Sequence, residues 1–169
     1  MRTMRSFHDS RRGGAIVELA LVAMAVFVML FGMIDYGRAL LARHAITSLS
    51  REAANLESRG TTLQDTILAT LQSSGSLDLA ANGFVILTAV TRDEDGVARI
   101  VRQESRGGQP VPSRIGTLGG ASVTIPNGVP LPGQTLWVAE VSVAFTPITP
   151  IANLIGVRMP PTLYDVAFF

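Results

Sequence analysis

GGAIVELALVAMAVFVMLFGMID, residues 13–35, is the stretch of sequence that decides the fold of this chain. Between Ala15 and Ile34 the only formal charge is Glu18. At ~1.5 Å per residue, a helix over this run is about 30 Å long, which is enough to cross the hydrocarbon core of a bilayer. We therefore expect residues 14–35 to form the transmembrane half of a longer helix.

The residues before this run predict its orientation. A basic leader, residues 1–13, holds Arg2, Arg5, Arg11 and Arg12 against the single acid Asp9. Such a bias is typical of the cytoplasmic side of a membrane segment. A cleaved secretory signal fits less well, because its apolar region is ~7–15 residues long and normally uncharged. The N-terminus is predicted to be cytoplasmic and the rest of the chain to lie across the membrane.

The composition excludes several classes of function. The chain has 169 residues, a net charge of +1 and no cysteine. Its 47% hydrophobic content is high for a wholly soluble domain of ordinary size. The basic residues are spread along the chain without interleaved aromatic residues, which argues against a nucleic-acid partner. Without cysteine, disulfides and thiolate chemistry are excluded.

A helical pattern continues beyond the apolar run, over residues 36–59. Its apolar residues recur at helical spacing and form a broken stripe: Leu40, Leu41, Ala45, Ile46, Leu49, Ala53 and Leu56. Gly60 is expected to end the helix, and no proline occurs before Pro110. The sequence therefore predicts one helix from about Gly14 to Ser58, with a membrane half and an amphipathic half.

Residues 60–169 predict a small α+β domain outside the membrane. Thr62 is a candidate N-cap for a short helix through residue 71. Alternating apolar residues predict a hairpin of strands 83–91 and 97–105 around an acidic turn, and further strands at 135–145 and 162–169. The Gly/Pro-rich stretch 107–133 is expected to be a long loop, either a partner-binding loop or a tolerated insertion. The predicted class is α+β, with the long helix packed on a small antiparallel sheet.

Glu18 is the residue in the apolar run that needs an explanation. A carboxylate in such a segment costs roughly 2 to 4 kcal/mol unless it finds a partner. One interpretation is a shallow position, from which the side chain reaches the headgroups. The other is an ion pair with a positive group on another subunit.

Two elements of the sequence carry a family resemblance. The first is Gly13, four further residues and then Glu18; the second is IDYGRALLARHAITSLSREAAN, residues 34–55. Together they make residues 11–59 resemble the TadE-like pseudopilins of tight-adherence (Tad, Flp-type) pilus systems. Leu19 departs from the family pattern, in which an aromatic residue usually follows the glutamate. The chain is also far longer than the major Flp pilins, so the resemblance favours a minor pseudopilin with a pilin-like fold.

The resemblance implies a site and a set of partners. A prepilin peptidase is expected to cleave between Gly13 and Gly14, which makes Glu18 the fifth residue of the mature chain and a residue of subunit association. The implied partners are this peptidase, other pilins or pseudopilins, and the lipid bilayer. The implied location is the bacterial inner membrane, single-pass, with a cytoplasmic N-terminus and a periplasmic C-terminal domain, in a system for cell adhesion.

The sequence holds no signature of catalysis. His8 and His44 have no metal-ligand spacing, and the acidic turn at 93–96 lacks the other calcium ligands of an EF-hand. Asp35 and Arg38 are interpreted as interfacial or solvated helix charges. We expect a non-enzymatic chain with no cofactor and no metal. The alternative function is an uncleaved, single-pass, membrane-anchored periplasmic binding or sensing module.

Overall fold

The structure, a computed structural model, describes residues 6–120, 124–149, 156 and 159–169, with side chains from Gly13 onward. It contains two compact units. The first comprises Met1–Arg38 and Pro147–Met159, and the second comprises Ala39–Thr146 and Pro160–Phe169. Residues 1–5 of the predicted leader, with Arg2 and Arg5, lie outside the described residues.

The first helix, α1, runs over Ser6–Ser58. It ends where the sequence predicts, but it begins at Ser6 rather than at about Gly14. Each helical glycine costs only about 1 kcal/mol relative to alanine, so the pair Gly13–Gly14 does not stop a helix of this length. The predicted boundary between leader and helix is therefore not a boundary of secondary structure.

In the second unit, α1 buries one narrow face. Ala42, Ile46, Leu49 and Ala53 are buried at a spacing of three or four residues, which is the period of a helix face. Two of the four are alanines, which allow close packing. Leu41, which the sequence places in the apolar stripe, is instead 71% exposed. Ile46, Leu49 and Ala53 are buried as the predicted stripe requires, and Ala42, not Leu41, continues their spacing toward the N-terminus.

Helix α2, Leu63–Gln72, is capped as the sequence predicts. The Thr62 hydroxyl oxygen accepts a hydrogen bond from the Asp65 backbone N–H at 3.2 Å. Threonine at this position satisfies one of the N–H groups that a helix start leaves without a partner. A 3₁₀ turn at Gly75–Leu77 and the short helix α3, Leu79–Asn82, then lead into the sheet.

Four antiparallel strands form the sheet: β1 Gly83–Arg92, β2 Ala98–Gly107, β3 Thr135–Ala144 and β4 Thr162–Phe168. Their order is β2-β1-β3-β4, so β1 and β3 are the central strands. The long helix and this sheet confirm the predicted α+β class. On the side of the sheet that carries Asp165, the Ser50 hydroxyl of α1 donates a hydrogen bond of 2.6 Å to the Asp165 carboxylate.

The opposite face of the sheet is covered by the Gly/Pro-rich stretch between β2 and β3. Ile115 is fully buried there, in a cluster with residues of three strands: Val90, Ile100, Leu136 and Val138. The predicted loop therefore supplies core side chains. The stretch is therefore not merely an insertion that the fold tolerates, which was one of the two interpretations of the sequence.

A buried carboxylate holds this stretch to the sheet. Glu140 of β3 accepts hydrogen bonds from the Ser113 hydroxyl at 2.5 Å, the Arg114 backbone N–H at 2.8 Å and the Tyr164 hydroxyl at 2.8 Å. The Arg114 guanidinium lies 3.9 Å from the centre of the Tyr164 ring. Burial and the Glu140 carboxylate together raise the pKa of Tyr164, so its hydroxyl stays a donor. Three donors stabilise a charge whose burial would otherwise be costly.

The same stretch covers part of an edge strand. In β2, the backbone of Ile100 exchanges hydrogen bonds with the loop, accepting from Gly119 at 3.2 Å and donating to Gly120 at 3.5 Å. The outer edge of the sheet is therefore paired at this point with its own chain.

Candidate functional site

The glycine pair of the predicted cleavage site lies inside α1, in the first unit. Gly13 and Gly14 are exposed, and nothing lies within 4 Å of the position that a Cβ atom would take on either residue. Two consecutive glycines lower the local helix stability by about 2 kcal/mol relative to alanine. The peptide bond between Gly13 and Gly14 is thus exposed, in a segment of low helix propensity. Cleavage there stays a prediction.

Glu18 lies one helical turn after Gly14, on the same face of α1. Its side chain is exposed. Among the side chains that the structure describes, none forms an ion pair or a hydrogen bond with this carboxylate. The two interpretations of Glu18, a shallow position and an inter-subunit ion pair, both stay predictions.

In the described part of the first unit, the large apolar side chains of α1 are exposed. A helix long and apolar enough to cross a membrane occupies Gly13–Ser58, and none of its most hydrophobic stretch is buried. The core helix of a soluble protein would be mostly buried. The large side chains exposed between residues 15 and 34 are Ile16, Val17, Leu19, Leu21, Val22, Met24, Val26, Phe27, Met29, Leu30, Phe31, Met33 and Ile34. This surface suggests a single-pass membrane anchor.

Asp35, at the end of the apolar run, is a buried acceptor. Its carboxylate accepts hydrogen bonds from the Ile148 backbone N–H at 2.9 Å, from the Thr149 backbone N–H at 3.2 Å and from the Thr149 hydroxyl. The Arg38 guanidinium lies 4.0 Å away. Asp35 is only 3% exposed, so the solvated alternative of its interpretation is wrong, while the interfacial alternative stays a prediction.

The reason for that error is the distance of the partners along the chain. The donors to Asp35 lie more than a hundred residues later in the sequence. One signal was nevertheless present in the sequence, because a carboxylate at the boundary of an apolar run needs hydrogen-bond donors.

The same segment carries a family signature. Residues 13–55 match the family model of the TadE-like proteins. This match confirms the resemblance predicted from the sequence and is consistent with a TadE-like protein of the Tad pilus system. Searches of curated proteins and of solved structures found no match. The TadE-like segment, residues 13–55, contains the glycine pair, Glu18 and Asp35.

Glu57 lies two residues beyond the TadE-like segment and was not singled out from the sequence. It is 1% exposed, in the last turn of α1. Within the described chain, neither carboxyl oxygen accepts a hydrogen bond of normal geometry, and the buried Thr66 hydroxyl is also left without one. Burial raises the pKa of Glu57 to about 7, while the Thr66 hydroxyl and the Arg102 guanidinium limit the rise.

The described residues offer few side-chain groups for metal binding or catalysis. Among them, no group of three histidine, cysteine or acidic side chains could hold a metal ion. A groove of about 320 Å³ lies between α2 and β2, lined by Gln64, Ile67, Leu68, Glu104, Ser105 and Arg106. TadE-like pilus proteins are structural and non-enzymatic; that this chain is non-enzymatic stays a prediction.

Proposed function

We propose that this chain is a minor pseudopilin that acts in the assembly of a Tad-type pilus. A prepilin peptidase cleaves it after Gly13, and it associates with other pilins through the apolar half of α1. The observation that carries the proposal is where the family match begins. It starts at Gly13, directly before the apolar run of α1, whose large described side chains are exposed.

The charges of the segment give the association a mechanism. Cleavage removes the leader arginines and leaves an α-ammonium group at Gly14, with Glu18 as the only other charge before Asp35. Inside a bundle of apolar helices, an unpaired charge is strongly disfavoured. The Glu18 carboxylate of a neighbouring subunit can neutralise the new α-ammonium group, and one such pair sets the register of the two helices.

This function implies a route for the chain. The precursor is anchored in the bacterial inner membrane with the basic leader in the cytoplasm, as the excess of arginine favours. The second unit then lies in the periplasm. The bilayer, the peptidase and the other pilus subunits are its partners, and its contribution to cell adhesion is through the pilus.

Intact mass of the membrane-extracted protein tests the processing. The expected mass is that of residues 14–169, and Gly13→Leu should leave the full-length precursor. Gly32→Leu is the matched control, because Gly32 lies in the same helix and also has nothing within 4 Å of its Cβ position. That variant should be processed normally. A mature protein that still begins at Met1 would contradict the proposal and favour the uncleaved binding or sensing module.

Piliation of cells tests the association. Glu18→Ala leaves the new α-ammonium group without its partner, which costs about 3 kcal/mol and corresponds to a roughly hundredfold loss of association. Assembly should fail while insertion into the membrane is kept. Glu52→Ala is the control, since Glu52 is an exposed acid of the same helix, in the second unit. Normal pili in cells that carry Glu18→Ala would refute the ion pair.

A further inference from the structure

We propose that the chain has a second contact with the lipid bilayer, made by Ile148 and held at the membrane boundary by Asp35. The partner is the boundary between headgroups and acyl chains on the far side of the membrane. This inference rests on the proposed membrane anchor, and it adds a site outside the TadE-like segment.

The hydrogen bonds of Asp35 set the depth of Ile148. Asp35 directly follows Ile34, the last residue of the apolar run, so its Cα lies where α1 leaves the hydrocarbon core. The Ile148 backbone N–H lies 2.9 Å from one oxygen of this carboxylate, and the Thr149 backbone N–H lies 3.2 Å from the other. Both residues belong to the first unit together with the apolar half of α1.

Polar and apolar groups are arranged here as they are in a protein surface that faces lipid. Asp35 is 3% exposed, whereas Ile148 is 64% exposed. The N–H groups of residues 148 and 149 are turned inward to the carboxylate. A segment in contact with lipid must satisfy its charges and backbone groups internally and turn apolar side chains outward. Facing water, the same arrangement would hide a carboxylate and expose an isoleucine.

The exposed Ile148 continues the surface of the anchor. On α1, the residues on either side of Asp35 are exposed as well: Ile34 and Tyr36. Tyrosine is enriched where membrane segments enter the interface. The sequence from residue 147 to 159 also has a single formal charge, Arg158. A bilayer surface fits this chemistry better than water does.

Depth measurement by electron paramagnetic resonance tests the contact on the full chain. The chain has no cysteine, so Ile148→Cys can carry a single nitroxide label in vesicles of phosphatidylcholine and phosphatidylglycerol. Leu118→Cys is the matched control, with a side chain 60% exposed in the second unit. The label at 148 should collide more with lipid-soluble oxygen than with a water-soluble nickel chelate, and the label at 118 should show the reverse. Equal accessibility to the nickel chelate at both positions overturns the proposal.

A third label separates this inference from the anchor itself. Phe27→Cys places the nitroxide in the middle of the apolar run. If that label is in lipid and the one at 148 is in water, the second contact is refuted and the anchor stands. If the Phe27 label is also in water, the anchor and the second contact fall together.

Two further measurements test the tether and the rival partner. Asp35→Ala removes the acceptor, so the label at 148 should move toward the accessibility of the label at 118. Fluorescence of Trp137, the only tryptophan, reports whether the second unit stays folded in that variant. The rival partner is another copy of the chain. In that case the label at 148 would be shielded from both reagents, and its spectrum would show dipolar broadening that disappears on dilution with unlabelled chain. This result would assign Ile148 to a contact between subunits and overturn the lipid contact.

Discussion

The buried carboxyl group of Glu57 should make the stability of the second unit depend on pH. Its pKa is raised from the ordinary value of 4.5 to about 7, so the folded state holds this proton more tightly than the unfolded chain does. Below pH 4.5 the group is protonated in both states and contributes nothing. As pH rises toward 7, the unfolded chain ionises first, and the free energy of unfolding falls. Above pH 7 the loss levels off.

The magnitude follows from the two pKa values. At about 1.4 kcal/mol for each pH unit between them, the loss amounts to about 3 kcal/mol. Glu57→Gln keeps the shape of the side chain and removes its ionisation. The variant should therefore be more stable than the native chain by about 3 kcal/mol near pH 8 and by less than about 1 kcal/mol near pH 5.

Urea unfolding of the full chain in detergent micelles, followed by the fluorescence of Trp137, measures this difference. Trp137 lies in β3, with the Arg102 guanidinium 5.7 Å from the centre of its ring. Glu52→Gln is the matched control, because Glu52 is an exposed acid of the same helix and should leave the pH profile unchanged. The reasoning is refuted if the native chain is equally stable at both pH values. It is also refuted if Glu57→Gln shifts stability by the same amount at both.

Three further predictions concern the packing of the second unit and use the same urea assay. Glu140→Ala leaves three donors without their acceptor and should lower the free energy of unfolding by about 3 kcal/mol or more; a loss below about 1 kcal/mol would show that water replaces the carboxylate. Ile46→Ala should cost about 2 to 5 kcal/mol, whereas Leu41→Ala, on the exposed side of the same helix, should stay within about 0.5 kcal/mol. Ser50→Ala should cost about 1.5 to 3 kcal/mol through its bond to Asp165, and a double-mutant cycle with Asp165→Asn that gives no coupling would contradict this.

Features that depend on neighbouring residues could be predicted from the sequence. Thr62 was recognised as a helix cap because the N–H group that it accepts from lies only three residues away. The hairpin of β1 and β2 was recognised because period-two alternation and an acidic turn with Gly96 lie within one short stretch. The proposed cleavage between Gly13 and Gly14 is instead implied by the resemblance to the TadE-like family, and it stays a prediction.

Features that depend on residues distant in the sequence could not be predicted. The pairing of β1 with β3 joins strands separated by the whole stretch 107–133, and no local pattern specifies that order. Glu140 reads as one polar residue in an alternating strand, and its three donors come from a loop and from β4. Asp35 carries no local sign of Ile148 or Thr149. For each of these acids, burial is decided by tertiary contacts, which the sequence near them does not encode.

The backbone pairing of Ile100 with Gly119 and Gly120 affects whether copies of the chain can associate through the edges of their sheets. A membrane-anchored chain diffuses in two dimensions, where its copies meet at high local concentration. An open strand edge would then template sheet-to-sheet association between copies. Because the loop pairs with β2 at Ile100, another strand cannot pair continuously along that edge.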